Sequence, residues 1–265
     1  MYLNTYICDS SYYKIFEALG ATVTSLHRSD EFVPIDTEAV AEEDKQKAKY
    51  WSEQYGFDAI FSTDGDGDRP LIADENGEWL RGDMLGLITA KAANVDALAV
   101  PVNCNTAIEK SKVFSHVART KIGSPYVIAE FEKLNEQYQT VAGFEANGGF
   151  LLGSDIEING KTITALPTRD AILPAIMLLM AALELPISQC ISKLPQRFTA
   201  SDRIKNFATE KSKTIINVYS TKPDELLSLL GIDQQVINVD LTDGLRLTLK
   251  NGDIIHLRPS GNAPE

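Results

Sequence analysis

The sequence predicts an α/β chain: two consecutive three-layer α/β/α domains on mixed, mainly parallel sheets, then a truncated α+β domain with an antiparallel sheet. Three observations predict it. From Asn4 to about Leu194, short apolar runs alternate with helix-like segments, the rhythm of parallel strands with helices on both faces. Beyond Ile215 the rhythm changes to strands joined by Asp243-Gly244 and Asn251-Gly252, which are hairpin signals. Two loops that combine glycines with acidic residues also follow directly on apolar runs that read as strands.

In the first segment, Ser10 or Ser11 caps a helix bearing Tyr13, Ile15, Phe16 and Leu19, and Gly20 ends it where a left-handed residue is wanted. A strand at Thr22 to Leu26 follows. Thr37 opens a charged helix to about Tyr55, Gly56 stops it, and Asp58 to Ser62 is the next strand. Leu71 to Ala73 and Trp79-Leu80 flank an Asn76-Gly77 turn. The second segment reads as a helix from Gly82 to Asn94, a strand from Ala97 to Val102 and a short helix at Thr106 to Lys112. A strand at His116 to Thr120, a helix from Ser124 to Tyr138 and a strand at Val141 to Phe144 complete the alternation. Asn159-Gly160 closes a hairpin, and a helix from Thr168 runs to about Leu194.

Pro195 to about Glu210 reads as a linker. Ile215 to Tyr219 is expected as a strand, Pro223 to Leu230 as a helix, and Val236 to Val239, Leu245 to Leu249 and Ile254 to Leu257 as strands. The expected domains are therefore residues 1–80, 81–194 and 195–265. The last stops directly after the loop Arg258 to Pro264, so the sequence predicts a domain cut at its C-terminus.

Composition narrows the function. With 44% apolar and 23% charged residues the 265-residue chain has the makeup of a folded protein, and its net charge of −12 argues against a nucleic-acid surface. The apolar stretch Ala171 to Leu183 is shorter than the about 20 residues that span a bilayer. It reads as a core helix. No signal-peptide pattern is present, and Cys8, Cys104 and Cys190 are scattered without metal spacing, so buried reduced thiols in a cytoplasmic protein are expected. His27, His116 and His256 likewise lack a second ligand at metal spacing.

Three constellations carry chemistry. Asp64, Asp66 and Asp68 alternate with Gly65 and Gly67 and precede Arg69. Carboxylates two apart repel unless a hard cation neutralises them, and Mg²⁺ or Ca²⁺ prefers such oxygens, while Arg69 suits a phosphate or carboxylate. A helix-loop-helix calcium site is the sharpest rival, with Glu75 at loop position twelve. It fails at Arg69, where glycine is needed, and on flanks that read as strands. Second, Glu145 and Asn147 lie in Gly143 to Gly149 and can exchange hydrogen bonds with vicinal sugar hydroxyls; a plain strand-to-hairpin turn is the competing reading. Third, Arg258, Ser260, Gly261 and Asn262 bring a cation, a hydroxyl and backbone amides into one tight loop, the chemistry of an anion nest. Cation, hydroxyl reader and anion nest together describe a phosphosugar cleft.

These motifs resemble the α-D-phosphohexomutase family of phosphomannomutases and phosphoglucomutases. DGDGDR at 64 to 69 matches that family's metal loop residue for residue, FEANG at 144 to 148 looks like its sugar-binding loop, and RPSGNAP at 258 to 264 is similar to its phosphate loop. The three occur in family order. The resemblance implies Mg²⁺ on Asp64, Asp66 and Asp68, with Arg69 near the transferring phosphoryl group. It also implies sugar contacts from Glu145 and Asn147, and a phosphate grip from Arg258, Ser260, Gly261 and Asn262. Ser124, in Lys121-Ile122-Gly123-Ser124, is similar in place to a further sugar-contacting loop. By the same resemblance the three expected domains are the family's second, third and fourth.

The family's nucleophile is a phosphoserine in a Ser-His-Asn-Pro loop, and that tetrapeptide does not occur in this sequence. The expectation is thus part of a Mg²⁺-dependent phosphohexomutase of the phosphomannomutase kind, inactive by itself, with a phosphorylated hexose as ligand. A non-catalytic phosphosugar- or metal-binding module is the alternative. Self-association through the face that a missing first domain would cover is a further expectation.

Overall fold

A computed structural model describes residues 2–4, 11–26, 33–202, 204 and 206–259. Its first sheet is built from β1 (Tyr2–Asn4), β2 (Thr24–Ser25), β3 (Ile60–Thr63) and β4 (Pro70–Ala73), with α1 (Ser11–Ala18) and α2 (Glu42–Tyr55) between them. The strand order is β2-β1-β3-β4; the first three are parallel and β4 runs antiparallel to β3. Alternation along β3 and β4 explains how both faces are covered. Phe61 and Ile72, register partners, pack with Phe16 of α1, whereas Ile60 and Ala73 pack with Ala48 and Trp51 of α2. Gly56 ends α2 in the left-handed conformation, φ 62° and ψ 44°, with its amide on the Ser52 carbonyl.

The second sheet has the order β11-β8-β7-β5-β6, from β5 (Ala97–Pro101), β6 (His116–Thr120), β7 (Val141–Phe144), β8 (Phe150–Leu152) and β11 (Leu166–Asp170). β7, β5 and β6 are parallel, whereas β8 and β11 are antiparallel to their neighbours. The hairpin β9 (Ile156–Ile158) and β10 (Lys161–Ile163) stands apart. Its turn takes positive φ at Asn159 and Gly160, as the Asn-Gly pair demands. α5 (Ser124–Asn135) covers one face through Val127, Phe131 and Leu134 against Ala97, Ala99 and Leu151. α3 (Gly82–Ala92), α4 (Ala107–Lys110), α6 (Ile172–Ala181) and α7 (Ile187–Ser192) belong to the opposite core, with Leu98, Val100, Ala142 and Phe144. That core does not stop at this sheet: Phe16, Phe61 and Ile72 of the first sheet are buried in the same cluster.

The C-terminal part holds α8 (Thr209–Thr221), α9 (Pro223–Leu229) and an antiparallel sheet β12 (Val236–Asp240), β13 (Leu245–Leu249) and β14 (Ile254–Leu257). Leu226 and Leu227 pack on Leu245, Leu247 and Leu249, the buried alternate positions of β13.

Of the two α/β/α domains expected, the five-stranded sheet with its helices shows one; among the described residues β1 and β2 contribute three and two residues to the first sheet, and a second full domain is not shown. The structure corrects three expectations. Thr37 does not open α2, which begins at Glu42; Thr37 is buried and donates to the Asn147 carbonyl at 2.6 Å. Ile215 to Tyr219 is helical within α8, since Ile216 and Tyr219, three apart, reach the C-terminal core together and this outweighs the β-branched preference. The helix expected from Thr168 is a strand up to Asp170, and two helices follow. Pro174 falls in the first turn of α6, where its missing N–H removes no helical bond. Among the described residues no helix is long and apolar enough to cross a membrane.

Candidate functional site

The loop from Asp64 to Arg69 is the connection between β3 and β4, closed by the register pair Thr63 and Pro70. Backbone bonds fold it tightly: the Asp64 amide donates to the Arg69 carbonyl and the Gly67 amide to the Asp64 carbonyl, both at 3.1 Å. Gly67 needs glycine, at φ 80°. Tyr12 of α1 braces it from outside, donating its hydroxyl to the Gly67 carbonyl at 3.1 Å. Folded this way, one carboxylate oxygen each from Asp64, Asp66 and Asp68 lies within 4.8 Å of the others.

The chemistry of this set fits a hard divalent cation. Asp64 is buried, Asp68 half-buried and Asp66 exposed. Asp64 Oδ2 and Asp68 Oδ1 are shielded from water and accept no hydrogen bond. Arg69 Nε gives them only charge contact, at 2.5 Å from Asp64 and 3.5 Å from Asp68, out of line for a hydrogen bond. Burial raises the Asp64 carboxyl above its ordinary value, against the pull of the Arg69 amide on Oδ1. Glu75 lies elsewhere. It accepts the Ser188 amide at 3.2 Å and the Ser188 hydroxyl at the start of α7, and the loop is flanked by strands, so the calcium-loop geometry is absent.

The Glu145 to Gly149 turn joins β7 to β8. Glu145 donates its amide to the Gly149 carbonyl at 2.9 Å, and Asn147 Oδ1 accepts the Gly149 amide at 3.0 Å. One acceptor position of the Asn147 carboxamide oxygen is therefore used by the turn, and Nδ2 carries its donors. Close approach of three segments of the chain needs glycine here. A Cβ on Gly148, whose φ is 97°, would lie 2.8 Å from the Pro70 carbonyl oxygen, and one on Gly82 would lie 2.0 Å from the Gly148 nitrogen. The turn is thereby pressed against the end of the acidic loop.

Arg169, at the end of β11, binds both. Its Nε donates to Glu145 Oε2 at 2.8 Å and its Nη1 to Asp68 Oδ2 at 3.1 Å. The Glu145 side chain is 5% exposed and finds no other partner among the described residues. Burial works against the Arg169 charge, yet Glu145 and Asp68 hold its pKa above the ordinary value. Sequence reasoning missed Arg169 because Thr168 was read as a helix start. The signal was Pro167 after the Asn159-Gly160 hairpin, which suits an edge strand.

The other expected residues form a second group. Ser124 is half-buried at the first position of α5, and Arg258 follows β14. Asp243, in the turn between β12 and β13, brings their loops together: its Oδ2 accepts the Ile122 amide at 2.9 Å and faces Arg258 Nε at 3.3 Å. Sequence reading took Asp243 only as a turn residue. Among the described residues no hydrogen bond or ion pair directly joins these residues to the Asp64 and Glu145 group. Ser260, Gly261 and Asn262 lie outside the described residues, as do Ser10, Cys8 and His27. Cys104 is buried, and burial pushes its thiol well up, in keeping with an inert core position; Cys190 is half-buried at the same core.

Comparison with known proteins gives a consistent set of relatives. A family model described as phosphoglucomutase/phosphomannomutase, alpha/beta/alpha domain III, matches residues 81–198. A phosphomannomutase of Salmonella muenchen is 57% identical over 255 residues, 96% of this chain and 53% of that protein. A phosphomannomutase of Sinorhizobium fredii is 41% identical over 254 residues, 95% of this chain and 53% of that protein. The chain spans about half the length of the curated relatives it matches. Among solved structures, a phosphoglucomutase/phosphomannomutase family protein from Burkholderia thailandensis superposes with a TM-score of 0.66 at 16% identity, over 93% of this chain and 51% of that one, a likeness of fold. With the acidic loop, its neighbouring glutamate turn and these relatives in agreement, the chain belongs to the α-D-phosphohexomutase family and is phosphomannomutase-like.

Proposed function

We propose that this chain supplies the cation-binding and hexose-binding parts of a Mg²⁺-dependent phosphomannomutase, interconverting hexose 1-phosphate and 6-phosphate through a phosphoserine that lies outside it. The observation that carries this reading is the joining of Asp68 to Glu145 through Arg169, which sets a cation site beside a buried carboxylate able to accept sugar hydroxyls. In this reading residues 1–80, 81–194 and 195–265 are the cation, sugar and phosphate units.

Asp64, Asp66 and Asp68 would hold Mg²⁺, which when bound neutralises phosphoryl oxygens during transfer. Everything else falls to the chain's own residues. Arg69 adds a fixed planar cation beside the phosphoryl group, Glu145 and the Asn147 Nδ2 orient sugar hydroxyls, and Arg258 with Ser260, Gly261 and Asn262 grips the phosphate not being transferred. Ser124, whose loop is tied to Asp243, would add a further sugar contact. Phosphoryl transfer of this kind depends on positioning and charge neutralisation, which such groups provide.

Calorimetric titration tests the reading. The chain is expected to bind Mg²⁺ or Mn²⁺ and mannose 1-phosphate, to lose the metal on Asp66→Asn, and to show no mutase turnover alone. A chain that binds neither ligand, or one that turns over hexose 1-phosphate unaided, would overturn it.

A further inference from the structure

We propose that Arg169 is a positioning residue that makes the shape of the Glu145 to Gly149 turn depend on whether the aspartate triplet holds a divalent cation; this rests on reading that triplet as a metal site. The argument begins with where Arg169 stands. It belongs to neither loop, being carried by the edge strand β11, 101 residues from Asp68 and 24 from Glu145. One rigid guanidinium plane serves both, Nε to Glu145 and Nη1 to Asp68, so that a shift of one carboxylate tilts the fork against the other.

Asp68 is placed to transmit such a shift. Its Oδ2 is held by Arg169, while Oδ1, shielded and without a hydrogen bond, is the atom left for a cation. A carboxylate that shares its charge with a cation is a weaker acceptor at its second oxygen, and such outer hydrogen bonds tune metal sites. At the other end, Glu145 has Arg169 as its one partner among the described residues and is nearly water-free, so it feels any change in that bond strongly. The path between is cleared by Gly149: a Cβ there would lie 2.9 Å from Arg169 Cδ and 3.1 Å from both Cγ and Nε. A guanidinium needed only to neutralise Glu145 would not have to reach Asp68 as well.

Amide hydrogen exchange of the whole chain, with and without MnCl₂, reads this directly, because the turn's amides are bonded within it. In the native chain, Mn²⁺ is expected to slow exchange at residues 64–69 and, by about fivefold, at residues 145–149, a coupling of ordinary size. Arg169→Gln keeps the near response and loses the distant one. Arg169→Lys, which keeps the charge but cannot hold both carboxylates, does the same and carries the test should the glutamine variant fold poorly. A near response without a distant one in the native chain, or a distant response that survives in a folded variant, overturns the role of Arg169 and leaves the metal site standing. No response at either stretch removes the metal site, and this inference with it.

Discussion

Asp243 pairs with Arg258 at 3.3 Å through the same oxygen that accepts the Ile122 amide, so one carboxylate holds the end of β14 to the loop entering α5. Removing it should free the C-terminal sheet from the second sheet at this point. Asp243→Ala is expected to cost about 1.5–3 kcal/mol, the range for hydrogen bonds to charged groups. Limited proteolysis should then cut sooner between residues 195 and 208, and equal cutting rates would refute the pairing's role.

Gly149 tests the path of Arg169. Gly149→Ala places a methyl 2.9 Å from Arg169 Cδ, and the side chain must leave Glu145 to make room. The expected loss is about 1–3 kcal/mol in a urea melt, as for other overpacked sites. The same substitution in an Arg169→Ala background should cost markedly less, because the atom in its way is gone.

Asp83 carries no solvent exposure, takes a two-point bond from Arg81 at 3.2 and 3.1 Å, and accepts the Asn105 amide at 2.8 Å. It therefore ties the start of α3 to the loop before α4. Asp83→Ala leaves a guanidinium and an amide without their acceptor, and a loss of about 3–5 kcal/mol is expected. Chemical denaturation showing less than 1 kcal/mol would sink this account.

His256 gives the C-terminal sheet a pH dependence. Its Nε2 lies 2.6 Å from the Asp243 carbonyl, so the neutral ring carries its proton on Nε2. Burial lowers its pKa below the ordinary value, with Arg246 and Arg258 acting in the same direction and Asp243 against it. A depressed value means that the fold prefers the neutral ring. Its contribution is present above the ordinary histidine pKa and is lost as pH falls through the depressed one. The melting temperature should thus drop by a few degrees on acidification below neutral, and by less in His256→Gln, which has no group to protonate.

Much of the fold was legible because its strongest signals are local. Gly56 ends α2 and Asn159-Gly160 closes a hairpin, each through backbone freedom the sequence announces. Strands His116–Thr120, Leu245–Leu249 and Ile254–Leu257 have the bounds their apolar patterns predicted. The acidic loop was legible because repelling carboxylates at alternate positions have few uses. Arg169 and Asp243 were not, since each matters for what it reaches across the chain, and their neighbours in sequence carry no trace of Asp68, Glu145 or Ile122. Ile215 to Tyr219 misled for a related reason: its residue types favour a strand, and only the surface it packs on made it a helix.

Phe61 and Ile72 are buried with Leu85, Phe144 and Leu178 in a single cluster that passes from the first sheet to the second. A gene divided between Leu80 and Arg81 would accordingly yield two pieces, each with a bare oily side that fits the other. Made together, they should reassemble without a covalent join; made singly, both should precipitate.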